Sequence, residues 1–253
     1  MTSPRITFVI GGAQKAGTTA LATYMSAFSD ICLPLGKEAH LFDHPDFDES
    51  WTAADIDSRF AAFWPRTNVP CLVGDATPLY MFDERLIRRI SAYNPTMRWI
   101  ILLRDPVDRS LSHYYMERGR GNEHLPLAAA LLGEPYRLWR HRTELTQDSP
   151  RIMQSYVARS RYCRQLDALF RHTPRHNVLL LRTCDLRQDP AAVVAGVRQF
   201  LGLPQAHSPA EFPPVFEGRY ERDGDRIVRR ILKTLFRREV RELNRRYAID
   251  LTN

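Results

Sequence analysis

The stretch Gly11-Gly12-Ala13-Gln14-Lys15-Ala16-Gly17-Thr18-Thr19-Ala20-Leu21 follows the apolar run ITFVI at 6–10 and has the residue types of an anion-binding turn. A glycine-rich loop between a strand and a helix start gathers unpaired backbone N–H groups, and the helix dipole adds positive potential at the same spot. Four residues separate Gly12 from Gly17, the spacing of a Walker A loop, but the lysine precedes the second glycine and Thr18 stands where that loop has its lysine. A nucleoside triphosphatase needs the lysine after the glycine and a Mg²⁺-binding hydroxyl after that. Neither role is filled in the usual way. Lys15 at the loop's crest is placed instead beside a single oxygen bridging a 5′-phosphate and a sulfuryl group. The bland alternative, a glycine-rich turn with no ligand, leaves the lysine and the paired threonines unexplained.

A second anion site is predicted where WIILL at 99–103 runs into Arg104-Asp105-Pro106-Val107-Asp108-Arg109-Ser110-Leu111-Ser112. Arg104 ends a strand, Pro106 opens a helix, and Ser112 lies about two turns along it, so both can converge on one anion. An isolated Arg at a strand end is more often a surface charge. Paired with a phosphate loop on an earlier strand of the same sheet, it suits a nucleotide carrying phosphates at both 5′ and 3′ positions. Glu38, His40, Asp43 and His44 form a cluster of titratable residues. The ordinary pKa of His40 suits neutral pH. His40 and His44 also have the spacing of a helical metal pair, but Pro34, Gly36 and Pro45 bracket a loop, and no metal is expected there.

With these segments in place, the chain resembles the sulfotransferases that use 3′-phosphoadenosine-5′-phosphosulfate (PAPS), in particular the branch similar to heparan sulfate N- and 3-O-sulfotransferases and their bacterial relatives. Gln14 to Leu21 matches that family's Q/R-K-x-G-T-T/S-x-L loop, and Leu103 to Ser112 matches its L-R-D-P-x-x-R-x-x-S motif without a gap. Lys37-Glu38-Ala39-His40-Leu41-Phe42-Asp43 is similar to K-E-x-H-F-F-D. Gly74-Asp75-Ala76-Thr77-Pro78, Arg159-Ser160-Arg161-Tyr162 and the segment from Asn177 to Pro204 continue the resemblance, which spans roughly residues 5 to 220.

The resemblance implies a donor site of Gln14, Lys15, Ala16, Gly17, Thr18, Thr19 and Ala20 for the 5′-phosphosulfate, and Arg104 with Ser112 for the 3′-phosphate. Tyr162, Gly218 and Arg219 are implied as further donor contacts. Glu38 falls at the position of the base, with His40 either orienting it or serving as the base itself. Lys15 would stabilise charge on the leaving oxygen. Lys37, Asp43 and Asp75 are implied on the acceptor side. Two departures stand out: Ala76 replaces a lysine that some relatives carry, and Glu217-Gly218-Arg219-Tyr220 replaces a K-G-x-x loop. A second cation on the sulfuryl group is then either missing or supplied by an arginine. The implied reaction is in-line transfer from PAPS to an acceptor hydroxyl of a glycan, glycolipid or small natural product. PAP is released and no metal is required. The rivals are a P-loop phosphotransferase, for which Asp75 is the one plausible Walker B acid, and a non-catalytic nucleotide- or nucleic-acid-binding protein. Against the latter stand Lys15 and Glu38, and no nucleic-acid partner is expected.

The elements that must position these residues alternate. Apolar runs at 6–10, 71–73, 99–103 and 177–181 are separated by helical patterns near 18–28, 83–93, 107–118, 154–172 and 190–201, which predicts an α/β fold with a central, mostly parallel sheet flanked by helices. The implied family fold is P-loop-like. A chain of 253 residues with 44% hydrophobic content suits one domain, here 1–253, with a core over about 5–220. A basic amphipathic helix is expected over about 224–247, docked by Ile227, Ile231, Leu232, Leu235 and Leu243. The stretch 119–150 reads as an insertion over the carboxyl edge of the sheet. In it, Trp139 within RLWRHR is suited either to stack on an acceptor or to pack in the core.

The net charge of +7 suits anionic ligands, and only Lys15, Lys37 and Lys233 among 36 basic residues are lysines, two of them in the motifs above. No 18-residue apolar run or signal-peptide pattern is present in the sequence. Cys32, Cys71, Cys163 and Cys184 lack any C-x-x-C pair and suggest neither zinc nor a disulfide framework, so a cytoplasmic location is expected.

Overall fold

The computed structural model describes residues 5–36, 38–65, 70–205, 212–213 and 225–251. Its centre is a five-stranded parallel sheet of order β2-β3-β1-β4-β5. The strands are β1 (Phe8–Gly12), β2 (Ile31–Cys32), β3 (Leu72–Asp75), β4 (Arg98–Leu103) and β5 (Val178–Arg182). β1 and β4 read as continuous apolar runs because helices cover both faces of the sheet and leave no solvent side to alternate with.

Helices α1 (Thr18–Ser26), α2 (Ala53–Phe60), α3 (Glu84–Tyr93) and α4 (Pro106–Gly119) fall in the first half of the chain. α5 (Leu127–Arg140), α6 (Pro150–Met153), α7 (Tyr162–His172), α8 (Thr183–Gln188), α9 (Pro190–Phe200) and α10 (Arg226–Tyr247) complete the set. Start signals are visible in the sequence. Asp83 and Asp105 cap α3 and α4 through their side chains, and Pro106 sits in the first turn of α4.

The strand order places the site. The chain passes from β1 to β3 on one side of the sheet and then to β4 on the other, so the loops leaving β1 and β4 diverge at the carboxyl edge and open a crevice. Gly17 makes the first of these loops possible. It adopts φ 97°, a region hostile to side chains, and turns the chain directly into α1 with no side-chain cap. Gly12 is needed for a different reason, since a Cβ there would lie 2.0 Å from the Met81 sulfur.

Several expectations need correction. The helix anticipated over 154–172 begins only at Tyr162, because the backbone ahead of it is held by side chains. Glu134 accepts from the Val157 and Ala158 amides at 2.7 Å each, and Arg109 donates to the Tyr156 carbonyl. The 119–150 stretch contains α5, where Trp139 is 62% exposed and so is not core. α10 docks through Leu232, Phe236, Leu243 and Tyr247, whereas Ile227, Ile231 and Leu235 face outward. Its register is set by Arg229 on Asp108 at 2.8 Å and by the Cys163 amide donating to Glu239 at 2.6 Å.

The cysteine reading is also corrected. Cys32 and Cys71 form a disulfide between the neighbouring segments of β2 and β3, with Cα atoms 5.8 Å apart. Only Cys163 and Cys184 are free, so the cysteine pattern gives no ground for a reducing compartment. Among the described residues no helix is long and apolar enough to cross a membrane.

Candidate active site

A cleft of about 1430 Å³ opens along the carboxyl edge of the sheet. Gln14, Lys15, Gly17, Thr18, Thr19 and Ala20 reach it from the loop after β1, Glu38 and His40 from the chain after β2, and Arg104 and Ser112 from β4 and α4. The two predicted anion positions therefore share one cavity with Glu38 and His40.

Two hydrogen bonds tie the loops together. Arg104 donates through Nη1 to the Lys15 carbonyl at 3.2 Å, so the arginine of the second anion position also braces the first. The Thr183 hydroxyl, at the start of α8, lies 2.7 Å from the Ala16 carbonyl and 3.1 Å from that of Leu103. Thr183 lines the cleft, and no residue type or spacing in its segment marks it for this role. Ala16 is buried and contributes only backbone. Tyr162, expected as a donor contact, is buried away from the cleft, and its hydroxyl donates to the Arg104 carbonyl at 3.0 Å. It acts on the site by fixing Arg104.

His40 stands between two carboxylates. Its Nδ1 is 2.7 Å from Asp43 Oδ2 and its Nε2 is 3.0 Å from Glu38 Oε2. Burial opposes a charge on this ring, but the hydrogen bonds to Asp43 and Glu38 outweigh it and raise the pKa to about 9. The ring is thus an imidazolium at neutral pH, donating from both nitrogens. Lys15 and His40 also share a backbone feature: both are non-glycine residues in the left-handed region, at φ 69° and φ 50°.

The acceptor-side assignments change. Asp43 is 1% exposed and faces His40, not the cleft. Asp75 is fully buried and accepts from the Ala39 amide at 3.1 Å, the Ala76 amide at 2.7 Å, and the Thr77 and Tyr80 hydroxyls at 2.9 and 2.6 Å. Burial raises its pKa to about 6 against those hydrogen bonds. It anchors the segment carrying Glu38 and His40 to the end of β3 and cannot reach a substrate. Lys37, Gly218 and Arg219 lie outside the described residues. His44 is apart from His40, facing Asp46, and among the described residues no group of three or more His, Cys, Asp or Glu side chains is placed to hold a metal.

Arg159 was legible only as part of the R-S-x-Y segment. It is 3% exposed, lines the cleft, and donates through Nη1 to Gln14 Oε1 at 2.5 Å. Trp139 does not line the cleft; from 119–150 the cavity receives Arg120, Asn122, Gln147 and Asp148.

Known sulfotransferases resemble this chain over most of its length. The chain is 29% identical over 201 residues to mouse heparan sulfate glucosamine 3-O-sulfotransferase 6, a match covering 77% of this chain and 52% of that protein. Human heparan sulfate glucosamine 3-O-sulfotransferase 3B1 is 28% identical over 196 residues, covering 77% and 45% respectively. The chain thus spans about half the length of these curated relatives. A solved sulfotransferase from Alicyclobacillus acidocaldarius superposes with a TM-score of 0.77 at 27% identity, covering 98% of both chains. A family model described as "Sulfotransferase domain" matches residues 5–217, which takes in every strand of the sheet and every loop that lines the cleft from it. On that match the chain belongs to the sulfotransferase domain family.

Proposed function

We propose that this chain transfers a sulfuryl group from PAPS to an acceptor hydroxyl by in-line displacement, leaving PAP. The observation that carries the reading is the convergence in one cleft of an anion loop after β1, a second anion position at Arg104 and Ser112, and Glu38. The residues present suit a nucleotide with two anionic groups, a 5′-phosphosulfate and a 3′-phosphate. The α1 amides have no side-chain cap to occupy them, and Arg159 keeps two buried N–H groups without partners. PAPS supplies the activated sulfuryl group on a phosphosulfate anhydride.

The chain's own residues divide the remaining work. Lys15 places positive charge at the leaving oxygen, where negative charge grows in the transition state. Glu38 takes the acceptor proton, because His40, holding its own proton between two carboxylates, has no lone pair to offer. His40 instead fixes the Glu38 carboxylate, and Asp43 fixes His40. A carbohydrate hydroxyl is the acceptor class we favour, since the similar proteins above are named for heparan sulfate glucosamine.

Calorimetric titration tests the donor. PAP is expected to bind without Mg²⁺ and more tightly than ATP. Arg104→Ala should weaken PAP roughly ten- to a hundredfold, the loss of a charge-assisted phosphate contact, while adenosine 5′-phosphosulfate, which lacks the 3′-phosphate, loses far less. A Mg²⁺ requirement, or equal losses for both ligands, would overturn the assignment.

A further inference from the structure

Arg159 is a cation of the cleft with two guanidinium nitrogens that lack a hydrogen-bond partner among the described residues. Arg159 sits in a 3₁₀ turn (Ala158–Ser160), its carbonyl held by Gln165 at 3.1 Å and its guanidinium 4.7 Å from the centre of the Phe82 ring. Nη1 is engaged by Gln14, but Nε and Nη2 are buried with no partner, and among the described residues no carboxylate forms an ion pair with it. Two other arginines around the cleft differ: Arg120 meets Glu117 at 3.5 Å and Arg229 meets Asp108 at 2.8 Å. The negative charges of Glu117 and Glu38 act on Arg159 without an ion pair, and a guanidinium taken out of water without a contacting counter-charge is a costly arrangement that suits a site where a ligand brings one.

Its position identifies that charge. Gln14 belongs to the loop on the donor side, and Glu38 is near enough for its negative charge to act on Arg159. The group in transfer must lie between those two. Two adjacent N–H donors on one planar fork fit two oxygens of a single sulfuryl group, a geometry that an ammonium cannot reproduce. Ala76, in the segment where some relatives carry lysine, is fully buried and offers nothing to that group.

Building on the donor assignment above, we propose that Arg159, lining the cleft beside Gln14, contacts the sulfuryl group of the donor and supplies the cation absent at Ala76. No bond is made or broken at Arg159. It holds the transferred group on line between the leaving oxygen at Lys15 and the hydroxyl that gives its proton to Glu38. Burial and the nearby charge of Arg109 push the pKa of Arg159 down to about 9, so negative charge brought beside it also secures its proton.

The test compares two ligands that differ only in the sulfuryl group. PAP and PAPS affinities are measured by calorimetry for the parent, Arg159→Met and Arg159→Lys, alongside thermal melting and kcat. Arg159→Met is expected to bind PAP within about twofold of the parent and PAPS roughly ten- to a hundredfold more weakly, with kcat falling as well. Arg159→Lys, which keeps the charge and loses the fork, should fall between; if the Met variant does not melt cooperatively, the Lys variant carries the test. Equal weakening of PAP and PAPS would show that Arg159 acts only by holding Gln14, and unchanged PAPS affinity would remove the contact outright. Failure of the parent to bind either ligand would instead overturn the donor assignment, and this role with it.

Discussion

Replacing His40 by asparagine should cost stability at low pH and little at high pH. The imidazole ionises near 6.5 in an unfolded chain and is raised to about 9 between Glu38 and Asp43, a rise that corresponds to about 3–4 kcal/mol of folding free energy. Because the folded value is the higher one, that contribution is complete below about pH 6.5 and disappears as pH rises through 9. The side chain is 21% exposed, so solvent screening trims the figure, and about 3 kcal/mol is the expected size. Asparagine tolerates the left-handed backbone at this position, so the substitution removes the charge without adding strain. The assay is denaturant unfolding of parent and His40→Asn at pH 6, 7.5 and 9.5. The stability gap should shrink by about 3 kcal/mol across that range, and Asp43→Asn should take away roughly half of it. A gap independent of pH would refute the imidazolium clamp. The kinetic companion is the rate between pH 6.5 and 8.5, which stays flat if Glu38 is the base. A rate climbing through pH 9, and abolished in His40→Asn, would move the base to His40.

Other consequences are measurable on the same preparations. Glu38→Gln should leave PAP affinity nearly intact while kcat falls roughly a hundredfold to ten-thousandfold, and parental turnover would remove Glu38 from the chemistry. Lys15→Ala should lose PAP affinity and about ten- to a thousandfold in kcat together, since the side chain serves both ground state and transition state; loss of only one would separate those roles. Reduction of Cys32–Cys71, or Cys32→Ser, opens a loop spanning 39 residues and should lower stability by about 4 kcal/mol on the chain-entropy account; identical unfolding with and without reductant would show that the bridge contributes nothing.

What could be read from the sequence follows from how local each signal is. Lys15 and Arg104 were legible because each stands at the end of an apolar run, and in a parallel sheet such ends converge on one edge. Gly17 was legible because a lysine-bearing turn ahead of a helix needs one residue free to take positive φ. The role of Asp75 was not, since an acid after a strand looks the same whether it faces solvent, as a Walker B residue would, or turns inward to hold Ala39 and Tyr80. The Cys32–Cys71 bridge was hidden for a similar reason. β2 is two residues long, too short to announce itself, and without β2 nothing brings Cys32 beside β3. In α10 two apolar stripes, one through Leu232 and Phe236 and one through Ile227 and Ile231, have the same spacing, and only the neighbours Val107 and Leu111 decide which is covered. Arg159 is the most instructive omission. An arginine in an arginine-rich chain carries no signal by type, and its significance is the absence of a partner, which exists only once the fold is closed.

The left-handed backbones of Lys15 and His40 set the two residues named for chemistry against the rest of the molecule. A non-glycine residue held there costs on the order of 1–2 kcal/mol, so glycine at either position relaxes the chain while deleting the side chain that acts. Selection for thermal tolerance alone would favour Lys15→Gly at a loss of turnover, whereas His40→Gly would also give up the larger contribution of the clamp between Glu38 and Asp43. Persistence of Lys15 under mutational drift would therefore be a signature of retained activity, readable without knowing the acceptor.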